Sequence, residues 1–477
     1  MATVTERLER VLEREAPAWG IRPVPPEHRR LSGFDFGVLW GDLSVGLLVL
    51  LTGALLVPSL GFPEALLAIV AGSFIGCVPL ALVGLAGAHE GVPGMVLFRP
   101  VLGLRGSYLP SVLNVVQLIG WTGFEFWAMS LVANEMSSRL FHFSNYWLWL
   151  SVVAVVCTAL ALGGPILVVR QWLEKFGAWV IAAVAAYITV KVLATTDLGA
   201  IWRKPGLGST SYPGHFWLAV DLVIAMPVSW LPLVADYNRF ARKGVSSTAG
   251  TYFGYALGNI WFYALGALLV LGAGLSSASP GGLGRAIEAL AGGAIVLLAL
   301  LVGETDEAFA DIYSSAVSSQ NVQPRIPQRG AIVAVAAAGA GLAAWLGTRP
   351  TVAVGNYESF LLLLGSVFVP LFGVFVADYF ILRRRGDVSV GSASPRGFNV
   401  RAIVAWVMGF LVFQWSVPTA LPHWTSAMQT LFQTWLHLPF PLWNSAAGAS
   451  IPAFVVALAL HAVLMLPDRR RARRLSH

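Results

Sequence analysis

Charge is what this chain has least of. Only 12% of its 477 residues are Asp, Glu, Lys or Arg, against about 25% in soluble domains. With a mean hydropathy of +0.72, a water-soluble globule is excluded. Cysteine is nearly absent as well. Cys77 and Cys157 both lie in apolar runs and are expected to be small core residues, so neither a disulfide framework nor a metal site is available. Residues 1–30 hold no apolar h-region, so no cleavable signal peptide is expected. The chain also lacks a phosphate-binding glycine loop, a catalytic triad and a metal-ligand cluster. An ATP-driven pump or a membrane enzyme is therefore not expected, and neither is a bound cofactor. The net charge of +7 does not point to nucleic acid, because the basic residues sit in short clusters between apolar runs.

Those apolar runs are what the chain has in abundance. Runs of about 18 or more residues predict twelve membrane spans, near 36–57, 64–87, 109–136, 146–168, 176–195, 215–235, 250–274, 289–318, 330–347, 355–381, 401–420 and 446–466. Numbering alternate connections from the terminal side, 25 of the 31 Lys and Arg residues share the compartment of the two termini. Positive residues are retained in the cytoplasm, so both termini are expected there, in the cell (inner) membrane. Arg383 to Arg385 and the basic stretch at 469–474 read as topology anchors meeting anionic lipid headgroups. Residues 423–442, with Trp424 and Trp435, read as an external interfacial segment.

The eighth span departs from this pattern. Glu304, Asp306, Glu307 and Asp311 put four carboxylates inside it, each disfavoured by roughly 2.5–3.5 kcal/mol at bilayer depth. On a helix, Glu304, Glu307 and Asp311 fall within about 60° of one another while Asp306 points the other way. Residues that unfavourable in lipid mark a functional site. Four acids without a Lys or Arg in their span cannot all remain ionised, which favours proton over sodium as a coupling ion.

Two other spans are interrupted. The first contains Trp40-Gly41-Asp42-Leu43-Ser44-Val45-Gly46, and the sixth contains Met226-Pro227-Val228-Ser229-Trp230-Leu231-Pro232. Irregular backbone is tolerated at membrane depth where it lines a cavity. Matched breaks in two halves mark a transporter's midplane site, and spans five apart suit a five-plus-five inverted repeat with two helices added. In the third span, Trp121 and Glu125 are four residues apart and share a helix face. An aromatic plane beside a carboxylate suits a flat ring that stacks and donates N–H groups. Asp236 and Arg239, at the end of the sixth span, are expected to form a gating or structural ion pair.

These residues resemble a known family. Pro110-Ser111 with Gly120-Trp121, Ala235-Asp236-Tyr237-Asn238-Arg239-Phe240, Ile312-Tyr313-Ser314-Ser315-Ala316, and Pro370-Leu371-Phe372-Gly373 with Ala377-Asp378-Tyr379 look like the nucleobase–cation symporters, the purine–cytosine permease family. The resemblance implies an all-α, LeuT-like fold of twelve helices. Residues 31–385 would form a ten-helix inverted-repeat core, with a cytoplasmic segment at 1–30, two extra helices over 386–466 and a basic tail at 467–477. It implies uptake of purines, pyrimidines, allantoin or hydantoin-like rings, driven by sodium or protons, with spans 1, 2, 6 and 7 rocking against spans 3, 4, 8 and 9. Trp121 and Glu125 match the stacking tryptophan and the polar residue after it. Gly46, Met226, Pro227, Ser229 and Trp230 match substrate positions, and Asp306 and Glu307 stand where relatives carry substrate-holding amides. The carbonyls of Asp42 and Val45, the Thr305 hydroxyl and Glu304 match the cation site, where relatives use two adjacent hydroxyls. A channel and an amino-acid transporter on the same fold are the alternatives, and a mid-membrane Glu125 disfavours the latter's carboxylate. The partners expected are a small solute and the bilayer, with a monomer sufficient.

Overall fold

The computed structural model describes residues 19–163, 178–207, 215–275, 278–291, 294–382, 397–417 and 422–475. Among them the regular structure is helical, apart from an isolated parallel bridge between Leu31 and Ala241.

Every expected span has a helix. Span 1 is a bent pair, Gly33–Asp42 and Leu47–Leu55, turning by 60°. Spans 2 to 7 are Phe62–Glu90, Tyr108–Phe141, Tyr146–Gly163, Ala178–Thr195, Phe216–Asn238 and Gly244–Gly272. Span 8 is Ala294–Val322, span 9 Gln328–Gly347 and span 10 Val352–Leu382. Spans 11 and 12 are Val400–Ser416 and Ser450–Leu475, the last running helical through what reads as a tail. The interfacial segment folds as Pro422–Gln429 followed by Thr430–Trp435, with Trp435 exposed. The arginines at 383–385 and the side chains of Trp424 and of 469–474 lie outside the described residues.

The helices sort into two packed groups. Spans 1, 2, 6 and 7 pack on one another, and spans 3, 4, 8 and 9 form the second group. Spans 10, 11 and 12 pack together and meet span 6 through span 10. Asp221 of span 6 accepts from the amides of Ala449 (2.8 Å) and Ser450 (2.9 Å), satisfying the N-terminus of span 12.

Glycine sets how closely span 1 meets span 7. Gly33, Gly37 and Gly41 face Gly250, Gly254 and Gly258, each set repeating every four residues. Without a hydrophobic force between helices in lipid, close backbone approach at small residues supplies the contact. A Cβ at Gly250 would fall 2.1 Å from the Gly33 carbonyl oxygen. The pattern continues past the break. A Cβ at Gly266 would fall 2.0 Å from the Leu50 oxygen, and one at Gly53 2.1 Å from the Tyr263 oxygen.

The segment ahead of span 1 is sewn across one end of both groups. Val24 donates its amide to Gly91, and Leu31 and Arg242 pair with Phe240 and Leu31. Arg29 donates to the carbonyls of Val24 and Ala88. The buried Arg239 donates to the Gly20 carbonyl at 2.6 Å and to the Tyr313 hydroxyl of span 8 at 3.2 Å. Gly20 itself sits against Gln320 near the end of span 8. The expected Asp236–Arg239 ion pair is not the contact made. The Asp236 carboxylate accepts from the Gly94 amide at 2.9 Å, and Arg239 reaches only the Asp236 backbone carbonyl, because its guanidinium is drawn to Gly20 and Tyr313.

Candidate substrate and cation site

The break in span 1 is built around one missing side chain. Gly46 is extended, at φ −140° and ψ 173°, and passes the chain into Leu47–Leu55. The first amides of that half-helix have no partner within it. Leu47 and Leu48 donate theirs to the carboxylate of Glu304 on span 8, the second at 3.4 Å. Glu304 therefore caps a helix N-terminus, where the macrodipole favours negative charge. A Cβ on Gly46 would lie 2.2 Å from Glu307 Oε1 and 2.7 Å from Glu304 Oε2, so two carboxylates close directly on bare backbone.

Two of the groups matched to the cation site make local hydrogen bonds. The Asp42 carbonyl accepts from the Val45 amide at 2.9 Å. The Thr305 hydroxyl donates to Val302 of its own helix at 2.6 Å. The Asp42 carboxylate is buried, lacks a hydrogen-bond partner among the described residues, and lines a cavity of about 260 Å³ between spans 1, 5 and 7. No three His, Cys, Asp or Glu residues among those described are grouped to hold a metal ion.

Six carboxyl groups occupy this region, each 7% exposed or less: Asp42, Glu125, Glu304, Asp306, Glu307 and Asp311. Glu307 feels Glu304, Asp311, Asp42 and Asp306, and Glu125 feels Asp311, Glu307 and Glu304. The carboxyl group of Glu125 on span 3 faces that of Asp311 on span 8.

Trp121 stands one turn before Glu125, with its ring 4% exposed. It meets Tyr357 edge-on at 6.0 Å and Phe360 edge-on at 5.3 Å, both from span 10. Phe124 meets the same two rings at 5.4 Å each. The Tyr357 hydroxyl is 2.8 Å from that of Thr52 and donates to the Leu48 carbonyl at 3.1 Å, tying this wall to the half-helix of span 1. Sequence reasoning missed Tyr357, Phe360, Phe124 and Thr52. Among 26 Phe and 11 Tyr residues, spacing alone gave no signal for them.

The sixth span is less broken than its prolines suggest. Its helix runs unbroken over His215–Ser229 with Pro227 inside it, and the interruption falls at residues 230–233. Pro227 packs on Gly76 of span 2, within its own helix group. Ser229 donates to the Met226 carbonyl at 2.6 Å, and its own carbonyl accepts from Gln117 of span 3 at 2.8 Å. Met226 is buried, and Trp230 meets Trp40 edge-on at 5.9 Å. The structure thus brings Gly46, Glu304, Glu307, Asp311, Glu125 and Trp121 around the first break, while Pro227 is turned into the packing between spans 2 and 6.

Comparison with known proteins agrees with this architecture. The chain is 23% identical over 383 residues to the hydantoin permease of Microbacterium maritypicum, covering 76% of each protein. It is 24% identical over 382 residues to the cytosine permease of Escherichia coli K12, covering 78% of this chain and 83% of the relative. A solved nucleobase-cation-symport-1 family transporter, in a closed conformation with bromovinylhydantoin bound, superposes with a TM-score of 0.75 at 19% identity over 94% of both chains. The model of the family described as permeases for cytosine/purines, uracil, thiamine and allantoin matches residues 23–436. Such a match spans most of the chain, and the chain belongs to this family of membrane transporters.

Proposed function

We propose that this chain imports a small planar nitrogen heterocycle by cation symport, through alternating access around the break in span 1. The observation that carries the reading is the joint placement of Trp121 and Glu125 beside that break, with Glu304 closing on its backbone. An aromatic plane and a carboxyl group one turn apart hold a flat ring by its face and its N–H edge. Hydantoin and cytosine permeases among the relatives support the same class of solute.

The coupling ion in this reading is the proton. Six buried carboxyl groups meet here with no Lys or Arg in span 8, so they cannot all remain ionised. In proteoliposomes, an imposed pH gradient without sodium should drive accumulation of the ring. Uptake that requires sodium and ignores the pH gradient would assign the carboxyl groups to ion or substrate contact instead.

Both termini are placed in the cytoplasm on the charge asymmetry of the connections. A reporter fused after His477 should be active only in a form that works in the cytoplasm, and activity of a periplasm-dependent reporter there would sink this orientation.

A further inference from the structure

We propose that the cavity between spans 1, 5 and 7 is a second binding site, for a small hydrophobic ammonium ion that enters from the bilayer. The cavity measures about 260 Å³, just under the roughly 300–1,000 Å³ of ordinary small-molecule pockets. It shares no residue with the ring-binding set around Trp121 and Glu125. Of Asp42, the match to the cation site uses the backbone carbonyl, and the side-chain carboxylate is a different group.

The glycine seam makes the room. Gly37, Gly41 and Gly258 let spans 1 and 7 approach by lacking side chains, and the same bareness leaves space along the edge of that contact. Ile181 and Ala182 of span 5 close it from the third side. At its rim, Trp179 and Leu257 are each more than half exposed, and Ala182 is exposed as well. Apolar side chains exposed on membrane spans meet hydrocarbon, so the mouth opens sideways into lipid.

Among these apolar walls stands one charged group. Asp42 is 7% exposed, and neither of its carboxyl oxygens has a hydrogen-bond partner among the described residues. A buried carboxylate left unpaired is costly, and a donor that also brings positive charge relieves that cost best. No Lys, Arg or His lines the cavity to supply one.

The walls narrow the choice of cation. A metal ion is the wrong occupant, because hard cations are held by several oxygens and no other side chain lining the cavity carries one. A polyhydroxylated or zwitterionic solute would bury further polar groups without partners. Trp261 already gives its indole N–H to Thr189 at 2.9 Å, so it offers the cavity only ring and hydrocarbon. What fits is one ammonium group on an apolar body. Its N–H donors reach Asp42 through charge-assisted bonds, the indole of Trp261 favours its charge, and its hydrocarbon covers Ile181 and Leu257.

The test is calorimetry on the purified full-length transporter with phenethylamine and its neutral isostere 2-phenylethanol. The amine should bind at least about tenfold more tightly, since a hydrogen bond to a charged group is worth roughly twice a neutral one. Asp42→Asn removes the charge at nearly constant volume and should bring the two ligands to similar affinity. Ala182→Phe sets a ring in the mouth with Asp42 intact and should weaken both, which separates this cavity from the acid cluster near Glu125. The wild-type comparison needs no variant to fold. Equal binding of amine and alcohol by the wild type, or no binding of the amine, overturns the proposal. So does an amine preference that survives Asp42→Asn, or an affinity unchanged in Ala182→Phe. None of these results bears on which ring or ion the transporter carries.

Discussion

Gly53→Ala is expected to abolish the folded transporter, while Gly37→Ala on the same pair of spans leaves it intact. The difference is what each new methyl group would meet. At Gly53 it would lie 2.1 Å from the Tyr263 carbonyl oxygen and 2.6 Å from both the Tyr263 carbonyl carbon and its Cα. These are backbone atoms of a buried helix, and they have nowhere to retreat. At Gly37 the nearest atom is the Cα of Gly250, at 4.0 Å, which is ordinary contact. Overpacking in a close-packed interior typically costs about 1–3 kcal/mol, and the rigid backbone at Gly53 places it at or above the upper end. Size-exclusion profiles and thermal midpoints of the two variants in one detergent give the comparison. Equal behaviour of both would show that spans 1 and 7 are not held by backbone contact at this point.

Trp121→Ala carries the second large effect, on binding instead of folding. Stacking of a base on an aromatic side chain is worth about 1–3 kcal/mol, or roughly five- to 150-fold in Kd. Removing the indole also leaves Tyr357 and Phe360 without the edge they pack on, at 6.0 and 5.3 Å, so the wall that remains is less defined. Trp121→Phe keeps a ring face and should retain much of the affinity. Calorimetry with the transported ring reads both variants. Equal affinity of the Ala variant and the wild type would reduce Trp121 to packing.

Much of the architecture was legible before any coordinates, for a simple reason. In a bilayer every backbone amide must be satisfied within its segment, so a long apolar run has little choice but a helix. All twelve spans and the break around Gly41, Asp42 and Gly46 follow from that rule. The sixth span shows its limit. Pro227 removes one amide and was expected to interrupt the helix. Packed on Gly76, it is carried inside the helix, and the chain breaks only beyond Ser229. Acids inside the eighth span announced a site by their cost alone. What Glu304 does there could not be read, because its partners lie 257 and 256 residues away and are backbone amides common to every residue. The glycines at 33, 37 and 41 and at 250, 254 and 258 stood in the sequence at helical spacing. That they face one another became visible only when the two helices were placed side by side.

The stretch from Gly20 to Leu31 contains none of the ring-binding residues, yet it bears on the speed of the machine. Arg239 follows span 6 and grips Gly20 on one side and Tyr313 of span 8 on the other, while Leu31 is stitched to Phe240 and Arg242. Spans 6 and 8 belong to different packed groups, so any motion that parts them at this end must first undo this clasp. Each bond broken there raises the barrier to opening by a modest amount, on the order of 1 kcal/mol for a neutral contact and more for one made by a guanidinium. How tightly the ring is held and how often the door swings are therefore written into different parts of the chain. Either can drift in evolution, or be changed by design, while the other is left as it was.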